Sequence, residues 1–390
     1  MSCSGRGVID LGLERMHAVL GLLGNPERFA CPVVHITGTN GKGSVAEMVA
    51  SGLAPKCVGI FTSPFLVEEN DAIRIFQNGI SACIPSTEMM DIQKRVCALL
   101  SSLTDFEVLV VTALIYFQQF PVDAVVIEVG MGGARDATNV FEKSISVLTS
   151  IGLDHQQFLG STIEEICKEK CGIFAGTAVV NSDIECMHVI ESMWANHSQC
   201  RNNQLVIVSQ NSMHACPFNG AHQSRLMQMA IEVIRIIDPK EFDLDKVVQS
   251  IGKAVLPGRL EKRFDAPVGF PLLLDGAHNA DSAKALRVFV DQAEPILWIL
   301  ATSKGRENIV PILIKPGDTC ICIPFKADGA VAWVQTAEPE TLAELAKAIT
   351  PNVIVLSGLE SALATATKDQ QVVVAGSLYL VRDYLRYVSR

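Results

Sequence analysis

Residues 37–44 of the chain combine glycines, a lysine and hydroxyl side chains in one short loop, Thr-Gly-Thr-Asn-Gly-Lys-Gly-Ser. An apolar run precedes the loop and a helix-forming run follows it, so we predict a strand, a turn and a helix start. Such turns bind phosphate because backbone N–H groups at the helix N-terminus converge on the anion. Lys42 adds a mobile positive charge, and the Ser44 hydroxyl can ligate Mg²⁺ held by a nucleotide. In the usual phosphate loop Ser or Thr follows the lysine directly, whereas here Gly43 intervenes.

Polar side chains also stand at the ends of three other apolar runs in the first half of the chain. Glu128 is followed by three glycines within five residues, and its carboxylate suits a Mg²⁺ ligand or a general base. The Ser63 hydroxyl would face the same crevice. His155 can ligate a metal through a neutral imidazole, while Asp154 orients bound groups. We therefore expect a nucleotide and metal site at this edge of a sheet.

The second half of the chain repeats the pattern with other side chains. Asp275 ends an apolar run and could bind ribose hydroxyls or a basic side chain, and His278 offers a polar contact at the same mouth. Arg259 can clamp a phosphate or carboxylate with two parallel hydrogen bonds. Ser377 opens the last helix, which either presents free N–H groups to a carboxylate or is simply a helix start. Lys170, in a charged helical stretch, has the pattern of a solvated helix residue.

Strands and helices alternate through the first two-thirds of the chain, as in a doubly wound α/β sheet. Apolar runs predict strands at 33–37, 57–61, 123–129, 145–151, 177–181 and 204–208. Helical periodicity predicts helices at 9–23, 43–53, 86–102, 107–119, 161–173, 184–195, 222–237 and 243–254. The run at 123–129 is apolar on both faces, which is typical of a central parallel strand.

The alternation breaks near 256–260, at a Pro-Gly pair, and then restarts. The second series predicts strands at 271–275, 296–300, 318–324, 352–356 and 371–375. Its helices are predicted at 280–293, 306–314, 339–349, 359–367 and 377–388. We therefore predict a phosphate-loop α/β domain over 1–256, followed by a smaller Rossmann-like α/β domain over 257–390.

Composition limits the partners of the protein. The 390 residues carry a net charge of −10, which argues against a broad nucleic-acid surface but not against a local phosphate site. The longest apolar stretch, roughly 106–117, is too short to span a bilayer. Twelve cysteines without a Cys-x-x-Cys pair indicate reduced thiols. The N-terminus resembles neither a secretory signal nor an Arg-rich mitochondrial presequence. We expect a cytoplasmic monomer that binds small molecules, neither nucleic acid nor membrane.

Taken together, the motifs resemble those of the folylpolyglutamate synthase and dihydrofolate synthase family, a branch of the Mur-ligase-like enzymes that form amide bonds. Gly43 between Lys42 and Ser44 is this family's own variant of the phosphate loop. The segments that carry the resemblance keep the family's order across nearly the whole chain: 37–44, 61–64, 128–133, 136–139, 153–155, 169–173, 257–259, 275–279 and 376–380.

The resemblance implies a reaction in which the γ-phosphate of ATP passes to a pteridine-linked carboxylate and the amine of L-glutamate attacks the acyl phosphate. It implies that the nucleotide is bound by Gly38, Thr39, Asn40, Gly41, Lys42, Gly43, Ser44, Arg259 and Asp275. Two Mg²⁺ ions would be held by Ser44, Ser63, Glu128 and His155. The catalytic residues would be Lys42, Lys170, His155 and Glu128, with Lys170 at the position that is carbamylated in the family. Substrates would contact Asp154, His278 and Ser377.

Three positions indicate which branch of the family the chain resembles. Eukaryotic folylpolyglutamate synthases typically carry Lys, Ile and Thr where this chain has Asn40, Leu153 and Asn279. The chain looks instead like fungal dihydrofolate synthases, which favours dihydropteroate as the acceptor. The alternatives are a folylpolyglutamate synthase that extends tetrahydrofolate and, in another class, a catalytically silent protein that binds folate or ATP.

The chain departs from the family in two places. Leu226 replaces the Asn of the Gly-x-His-Gln-x-x-Asn motif, an Asn that usually contacts ATP. The stretch from about 182 to 220 is also shorter than usual, as if a hairpin were missing. Together the two departures favour weaker nucleotide binding or, as the alternative, a catalytically silent protein.

Overall fold

Apolar strands assemble into two separate sheets, one of eight strands and one of six. The computed structural model describes residues 9–197, 203–291, 295–328, 333–366 and 370–389. The packing of the chain divides it into two units. Unit 1 holds the described residues up to Val255, except 66–69 and 218–220; those two segments and the residues from Leu256 onward form unit 2.

Unit 1 contains the larger sheet and nine of the described helices. Its strands are β1 (Val33–Thr37), β2 (Val58–Phe61), β3 (Ile73–Gln77), β4 (Ile80–Cys83), β5 (Ala124–Glu128), β6 (Ile145–Leu148), β7 (Ala178–Asn181) and β8 (Leu205–Val208). Its helices are α1 (Glu14–Leu22), α2 (Lys42–Gly52), α3 (Ser86–Leu99), α4 (Asp105–Phe117), α5 (Gln156–Leu159), α6 (Ile163–Cys171), α7 (Met187–His197), α8 (Ala221–Ile237) and α9 (Leu244–Ile251).

The strand order of this sheet is β4-β3-β2-β5-β1-β6-β7-β8, and all pairs except β2–β3 and β3–β4 are parallel. The register pairs Ile36 with Glu128, and Thr37 with Leu148. The carboxyl ends of β1, β5 and β6 are therefore level with one another. Because ligands of doubly wound sheets bind where parallel strands end, this edge is the place for a site.

Unit 2 is built on a second sheet with β14 inserted next to β10. Its strands are β9 (Glu261–Phe264), β10 (Pro271–Leu274), β11 (Ile296–Leu300), β12 (Thr319–Cys322), β13 (Val353–Val355) and β14 (Gln371–Ala375). Its helices are α10 (Ala280–Val290), α11 (Val310–Leu313), α12 (Pro339–Lys347), α13 (Leu359–Thr365) and α14 (Leu378–Val388). The order is β13-β12-β11-β14-β10-β9, parallel except for β9.

Alternate residues of this sheet enter two hydrophobic cores. Trp298 and Val373 belong to the core that includes α10, α11 and α12, whereas Ile299 and Val374 pack with α13 and α14. Burial of both faces is the reason these strands are almost continuously apolar. The predicted fold class, a phosphate-loop α/β sheet followed by a smaller Rossmann-like sheet, is confirmed.

Three strands were not predicted. β3 and β4 form an antiparallel hairpin through Asn78 and Gly79, whose φ angles of 52° and 81° are both positive. An Asn-Gly pair flanked by alternating apolar residues is the usual signal of such a turn, so this hairpin was predictable from the sequence. β9 is an edge strand with the sequence Glu-Lys-Arg-Phe, and it was not predicted because three of its four residues are charged.

Two further observations bear on the composition. None of the helices in the described ranges is long and apolar enough to span a membrane. Nine of the cysteines within those ranges have free thiols, as predicted, but Cys97 takes part in a disulfide. The expectation of reduced thiols is therefore wrong for Cys97.

Candidate active site

The phosphate loop follows β1 and leads into α2, as the sequence predicts. Gly41 is the N-cap of α2 and has a φ of 88°, a backbone conformation that side chains other than glycine rarely adopt. The loop is held against the end of β6, because Thr39 N donates to Ser150 O at 2.9 Å and Thr149 Oγ1 donates to Asn40 O at 2.7 Å. This anchoring places the first turn of α2 at the strand-end edge, where its N–H groups can receive an anion.

Two lysines converge on this loop from different helices. Lys42 Nζ and Lys170 Nζ donate to the same oxygen, Gly38 O, at 3.1 Å and 3.0 Å. Only 5% of Lys170 is exposed, so it is not the solvated helix residue that its sequence pattern indicates. Burial, and next the positive charge of Lys42, lower the pKa of Lys170 from 10.5 to about 7. Near neutral pH a large part of Lys170 is therefore an uncharged amine.

Glu128 lies between Lys42 and the loop that carries Ser63. Its Oε1 is 3.9 Å from Lys42 Nζ, and its Oε2 accepts a 3.3 Å hydrogen bond from Ser63 N. The hydroxyl oxygens of Ser44 and Ser63 are buried and have no hydrogen-bond partner within the described ranges. A buried hydroxyl without a hydrogen-bond partner destabilises the fold unless a water, an ion or a ligand interacts with it. The residues fit a divalent cation, because one carboxylate and two orphaned hydroxyl oxygens are the hard donors that Mg²⁺ prefers.

His155 and Asp154 follow β6 but differ in accessibility. Asp154 is 7% exposed and its Oδ1 accepts from His155 N at 2.8 Å. His155 has a left-handed backbone, with φ 51°, and 41% of its side chain is exposed at the start of α5. The ring is thus presented outward from the end of β6, and the carboxylate beneath it fixes the turn. A metal role for His155 stays a prediction.

No group of three or more His, Cys, Asp or Glu side chains is arranged to hold a metal ion within the ranges that the structure describes. The expected site does not need such a group, because it combines one carboxylate, one imidazole and two hydroxyls with the oxygens of a bound nucleotide.

The glycine turn after Glu128 is held by residues that we did not single out as site residues. Asp136 accepts from Met131 N at 2.8 Å and from Thr138 Oγ1 at 2.6 Å. Thr138 Oγ1 is in turn 2.8 Å from His35 Nε2 on β1. Burial lowers the pKa of His35 to about 3, so the ring is neutral. This buried series of hydrogen bonds, from Asp136 through Thr138 to His35, ties the turn to β1.

A second set of contacts ties the same turn to α6. Glu169 accepts from Arg135 N at 3.1 Å and from Arg135 Nε at 3.2 Å, and its carbonyl accepts from Ala134 N at 2.8 Å. Glu169 directly precedes Lys170, so the turn after β5 and the buried lysine share one support. In the sequence Glu169 appears only as a member of the motif at 169–173, and Ala134 and Arg135 fall between the motifs at 128–133 and 136–139.

Unit 2 places its predicted residues at the ends of β10 and β14. Asp275 is buried, and its two oxygens accept from Leu260 N at 2.7 Å and Ala277 N at 2.8 Å. Burial raises its pKa, and the nearby Arg259 opposes that rise. Asp275 therefore ties the chain beside Arg259 to the end of β10. The charge of Arg259 acts on Asp275, and both roles proposed from the sequence, binding of ribose hydroxyls and binding of a basic side chain, stay predictions.

His278 and Ser377 stand at two helix starts of unit 2. His278 Nδ1 is 3.0 Å from Gly276 O, and His278 N donates to Ser282 Oγ at 3.2 Å. Ser377 is the N-cap of α14, and its Oγ accepts from Tyr379 N at 3.1 Å. A capping role for Ser377 is thus established, and a role toward a carboxylate stays a prediction.

Leu226, the departure noted above, packs against the phosphate loop. It lies in α8 and is 5% exposed. A Cβ atom placed on Gly41 would approach Leu226 Cδ1 to 2.7 Å. The side chain at 226 is therefore an apolar support for the left-handed turn at Gly41. The other departure, the short stretch at 182–220, lies partly outside the described residues.

Two domain families match the chain. The Mur ligase middle domain matches residues 36–236, and the dihydrofolate synthetase C-terminal domain matches residues 262–387. Together with the two sheets, these matches define a protein of the Mur ligase class.

Sequence relatives cover the chain almost end to end. The probable dihydrofolate synthetase of Schizosaccharomyces pombe is 31% identical over 98% of this chain and 99% of its own length. The dihydrofolate synthetase of Saccharomyces cerevisiae is 33% identical over 97% of this chain and 98% of its own. The crystal structure of a bifunctional folylpolyglutamate synthase/dihydrofolate synthase with Mn, AMPPNP and L-glutamate bound is similar at a TM-score of 0.82 and 25% identity, over 98% of this chain and 95% of that one. The chain belongs to the dihydrofolate synthase and folylpolyglutamate synthase family, as its motifs indicated.

Proposed function

We propose that this chain is an ATP-dependent ligase that joins L-glutamate to 7,8-dihydropteroate, giving dihydrofolate, ADP and phosphate. One observation carries the proposal: Lys42 and Lys170 converge on Gly38 O beside Glu128, in a chain that aligns over nearly its whole length with two fungal dihydrofolate synthetases. A phosphate cradle, a carboxylate and a second lysine at one strand edge are what phosphoryl transfer to a carboxylate needs.

The nucleotide would be bound mainly by the phosphate loop. Backbone N–H groups of the loop and of the first turn of α2 would receive the phosphates, with Lys42 Nζ on the β- and γ-phosphates. We assign this role to the domain over 1–256, and we assign Arg259 and Asp275 of the domain over 257–390 to further ATP contacts. The structure of the bifunctional relative contains AMPPNP, which supports nucleotide binding here.

Two divalent cations would be held by Ser44, Ser63, Glu128 and His155, and the same relative contains Mn. When bound, such an ion neutralises charge on the phosphates and favours attack on the γ-phosphorus. We propose Mg²⁺ at two positions, with Glu128 contributing to both. The two orphaned serine hydroxyls support the first position.

The reaction would proceed in two balanced steps. A carboxylate oxygen of dihydropteroate attacks the γ-phosphorus and ADP leaves, which gives an acyl phosphate. The amine of L-glutamate then attacks the acyl carbon, phosphate leaves, and the amine loses a proton as the amide forms. We assign Asp154, His278 and Ser377 to substrate contacts. The relative that contains L-glutamate supports an amino-acid site in this architecture.

Lys170 would act as a carbamate. Its uncharged amine attacks CO₂, an N–C bond forms and one proton is released, so that a neutral group becomes an anion beside the metal site. The lowered pKa of Lys170 supports this step, because only the neutral amine is a nucleophile. We further propose that the enzyme is cytoplasmic and that it is a monomer; light scattering after size exclusion would test the oligomeric state.

One assay separates the candidate functions. Phosphate release is measured with ATP, Mg²⁺ and L-glutamate, and either dihydropteroate or tetrahydrofolate is offered. Release with dihydropteroate alone supports the proposal, and release with tetrahydrofolate alone supports the folylpolyglutamate synthase alternative. No acceptor-dependent release from folded protein would overturn both and favour the silent protein, for which the argument is that Leu226 replaces the family's ATP-contacting Asn.

A further inference from the structure

A buried ion pair lies behind the proposed metal site. Glu47 of α2 and Arg74 of β3 are 27 residues apart, and Arg74 Nη2 donates to Glu47 Oε1. Only 6% of the Glu47 side chain and 15% of the Arg74 side chain are exposed. Neither residue belongs to the motifs that carry the family resemblance. A charge pair taken out of water needs a reason, since an apolar pair of the same size would often be at least as stable.

Arg74 connects this pair to the loop that carries Ser63. The same Nη2 atom donates to Thr62 Oγ1 at 3.3 Å, and Thr62 directly precedes Ser63. Thr62 N is also bonded to Ala72 O at 3.0 Å, so the end of β2 is held against the start of β3. Beyond Thr62, Ser63 N donates to Glu128 Oε2 at 3.3 Å. The Arg74 guanidinium thus reaches the serine loop through one hydroxyl.

Glu47 connects the pair to the other serine. Ser44 and Glu47 are three residues apart in α2, and residues at this spacing share one face of a helix. The Ser44 hydroxyl is buried without a partner in the described ranges, as is the Ser63 hydroxyl. Glu47 is therefore one helical turn from Ser44. Arg74 is hydrogen-bonded to Thr62, the residue before Ser63.

We propose that Glu47 and Arg74 are positioning residues that set the separation of the Ser44 and Ser63 hydroxyls, and thereby the affinity for the divalent cation that accompanies the nucleotide. The inference rests on the proposed function, because it assumes that these hydroxyls are metal ligands. Neither Glu47 nor Arg74 touches the metal; each acts through a serine. Serine hydroxyls are weak ligands, so their placement contributes only if it is held before the ion arrives.

The direction in which cation affinity changes in variants of Arg74 and Glu47 distinguishes a positioning role from a purely electrostatic one. If only charge mattered, Arg74→Met would leave Glu47 unneutralised and tighten cation binding, whereas Glu47→Gln would leave Arg74 unneutralised and weaken it. If the pair positions the serines, both variants weaken cation binding. The double variant should then be no weaker than the worse single variant, because each substitution already breaks the same link.

The test measures Mn²⁺ bound to the protein by equilibrium dialysis at one fixed concentration of AMPPNP, so that Mn²⁺ held by the nucleotide alone is equal on both sides of the membrane. We expect a roughly fivefold to tenfold higher Kd for Mn²⁺ in both single variants and in the double variant, the change that loss of one hydrogen bond produces. Lys56→Met is the matched control: it removes the 2.8 Å pair with Asp238 beyond the other end of α2, and its Kd should stay unchanged.

An unchanged Kd in Arg74→Met and Glu47→Gln would overturn the inference, and so would opposite shifts in the two variants. Should Arg74→Met fail to fold, Arg74→Lys keeps the charge but lacks the guanidinium Nη2 that donates to both Glu47 and Thr62. If the pair positions the serines, Arg74→Lys should still bind Mn²⁺ more weakly. If only charge matters, its Kd for Mn²⁺ should not change.

The readout is independent of turnover. A wild-type protein that binds Mn²⁺ with AMPPNP but does not use dihydropteroate would contradict the proposed reaction and leave the test of Arg74 intact. A wild-type protein that binds no Mn²⁺ would overturn the metal site and the positioning role together.

Discussion

Lys170 Nζ donates a 3.0 Å hydrogen bond to the carbonyl oxygen of Gly38, which lies 132 residues away in the chain. The lysine comes from α6 and the carbonyl from the phosphate loop. Because Lys42 donates to the same oxygen, two amino groups are held close together, and that of Lys170 is buried. The arrangement disfavours two positive charges, and it leaves Lys170 as the group that gives up its proton.

The first prediction concerns CO₂ and pH. Lys170→Ala should lower turnover about a hundredfold, because one charged group in a preorganised site is removed. The pKa of about 7 means that the ammonium form, which cannot add CO₂, increases as the pH falls below 7. Wild-type rates should therefore fall below pH 7 and recover partly when bicarbonate is added. Initial rates between pH 6 and 8, with ¹³C NMR of the carbamate, check this.

Near-normal turnover of Lys170→Ala would contradict the role of Lys170. A bicarbonate effect of equal size in the variant would show that the recovery has another source. Circular dichroism of the variant serves as the control for folding.

The second prediction concerns stability. The folded pKa of Lys170, about 7, lies well below its ordinary value of 10.5, so the unfolded chain binds the proton more tightly. The resulting cost is complete below pH 7, falls as the pH rises, and is absent above pH 10.5. Lys170→Met removes it and should raise the free energy of unfolding at pH 7 by roughly 4 kcal/mol. Urea unfolding at pH 7 and pH 9.5 should show the gain shrinking. A loss of stability at pH 7 would refute this account.

The third prediction concerns acid sensitivity. The pKa of His35 is lowered from 6.5 to about 3 by burial, so its contribution to stability is complete above pH 6.5 and is lost as the pH falls toward 3. In that window His35 alone should lower the free energy of unfolding by about 1.4 kcal/mol per pH unit. His35→Gln keeps a partner for Thr138 and should give a shallower slope. Urea unfolding at pH 7, 6 and 5 tests this, and parallel curves for the two proteins would contradict it.

The fourth prediction concerns Gly41 and Leu226. Gly41→Ala introduces a Cβ at a positive φ and 2.7 Å from Leu226 Cδ1, so it should cost about 2 kcal/mol or more and weaken ATP binding. Leu226→Ala in the same chain relieves the clash but not the backbone strain. We therefore expect partial rescue of ATP affinity in the double variant, measured by calorimetry.

Leu226→Asn, which restores the family's usual residue, provides a complementary measurement. An amide at this buried position should lower stability without nucleotide by about 2–4 kcal/mol. ATP should then raise the melting temperature of Leu226→Asn more than that of the wild-type protein. An equal rise in both proteins would show that the residue at 226 does not influence the nucleotide.

Much of the architecture was predictable because its signals are local. The strands at 33–37, 296–300 and 371–375 have the predicted bounds, since their apolar runs end at clear turn residues. The strand-end placement of Glu128 and Asp275 also follows from such runs. The charged edge strand β9 was not predicted, because only its pairing with β10 makes it a strand.

The fold class, the phosphate loop with its additional glycine, and membership of the ligase family follow from the order of residues along short segments. The folded structure was needed to show that Lys170 is buried with a lowered pKa, that Leu226 supports Gly41, and that Arg74 links Glu47 to the Ser63 loop. Burial and charge pairing depend on neighbours that distant parts of the chain contribute, and short segments carry no record of them. The phosphate loop can be recognised from eight residues, whereas the groups that tune it come from β3, α6 and α8.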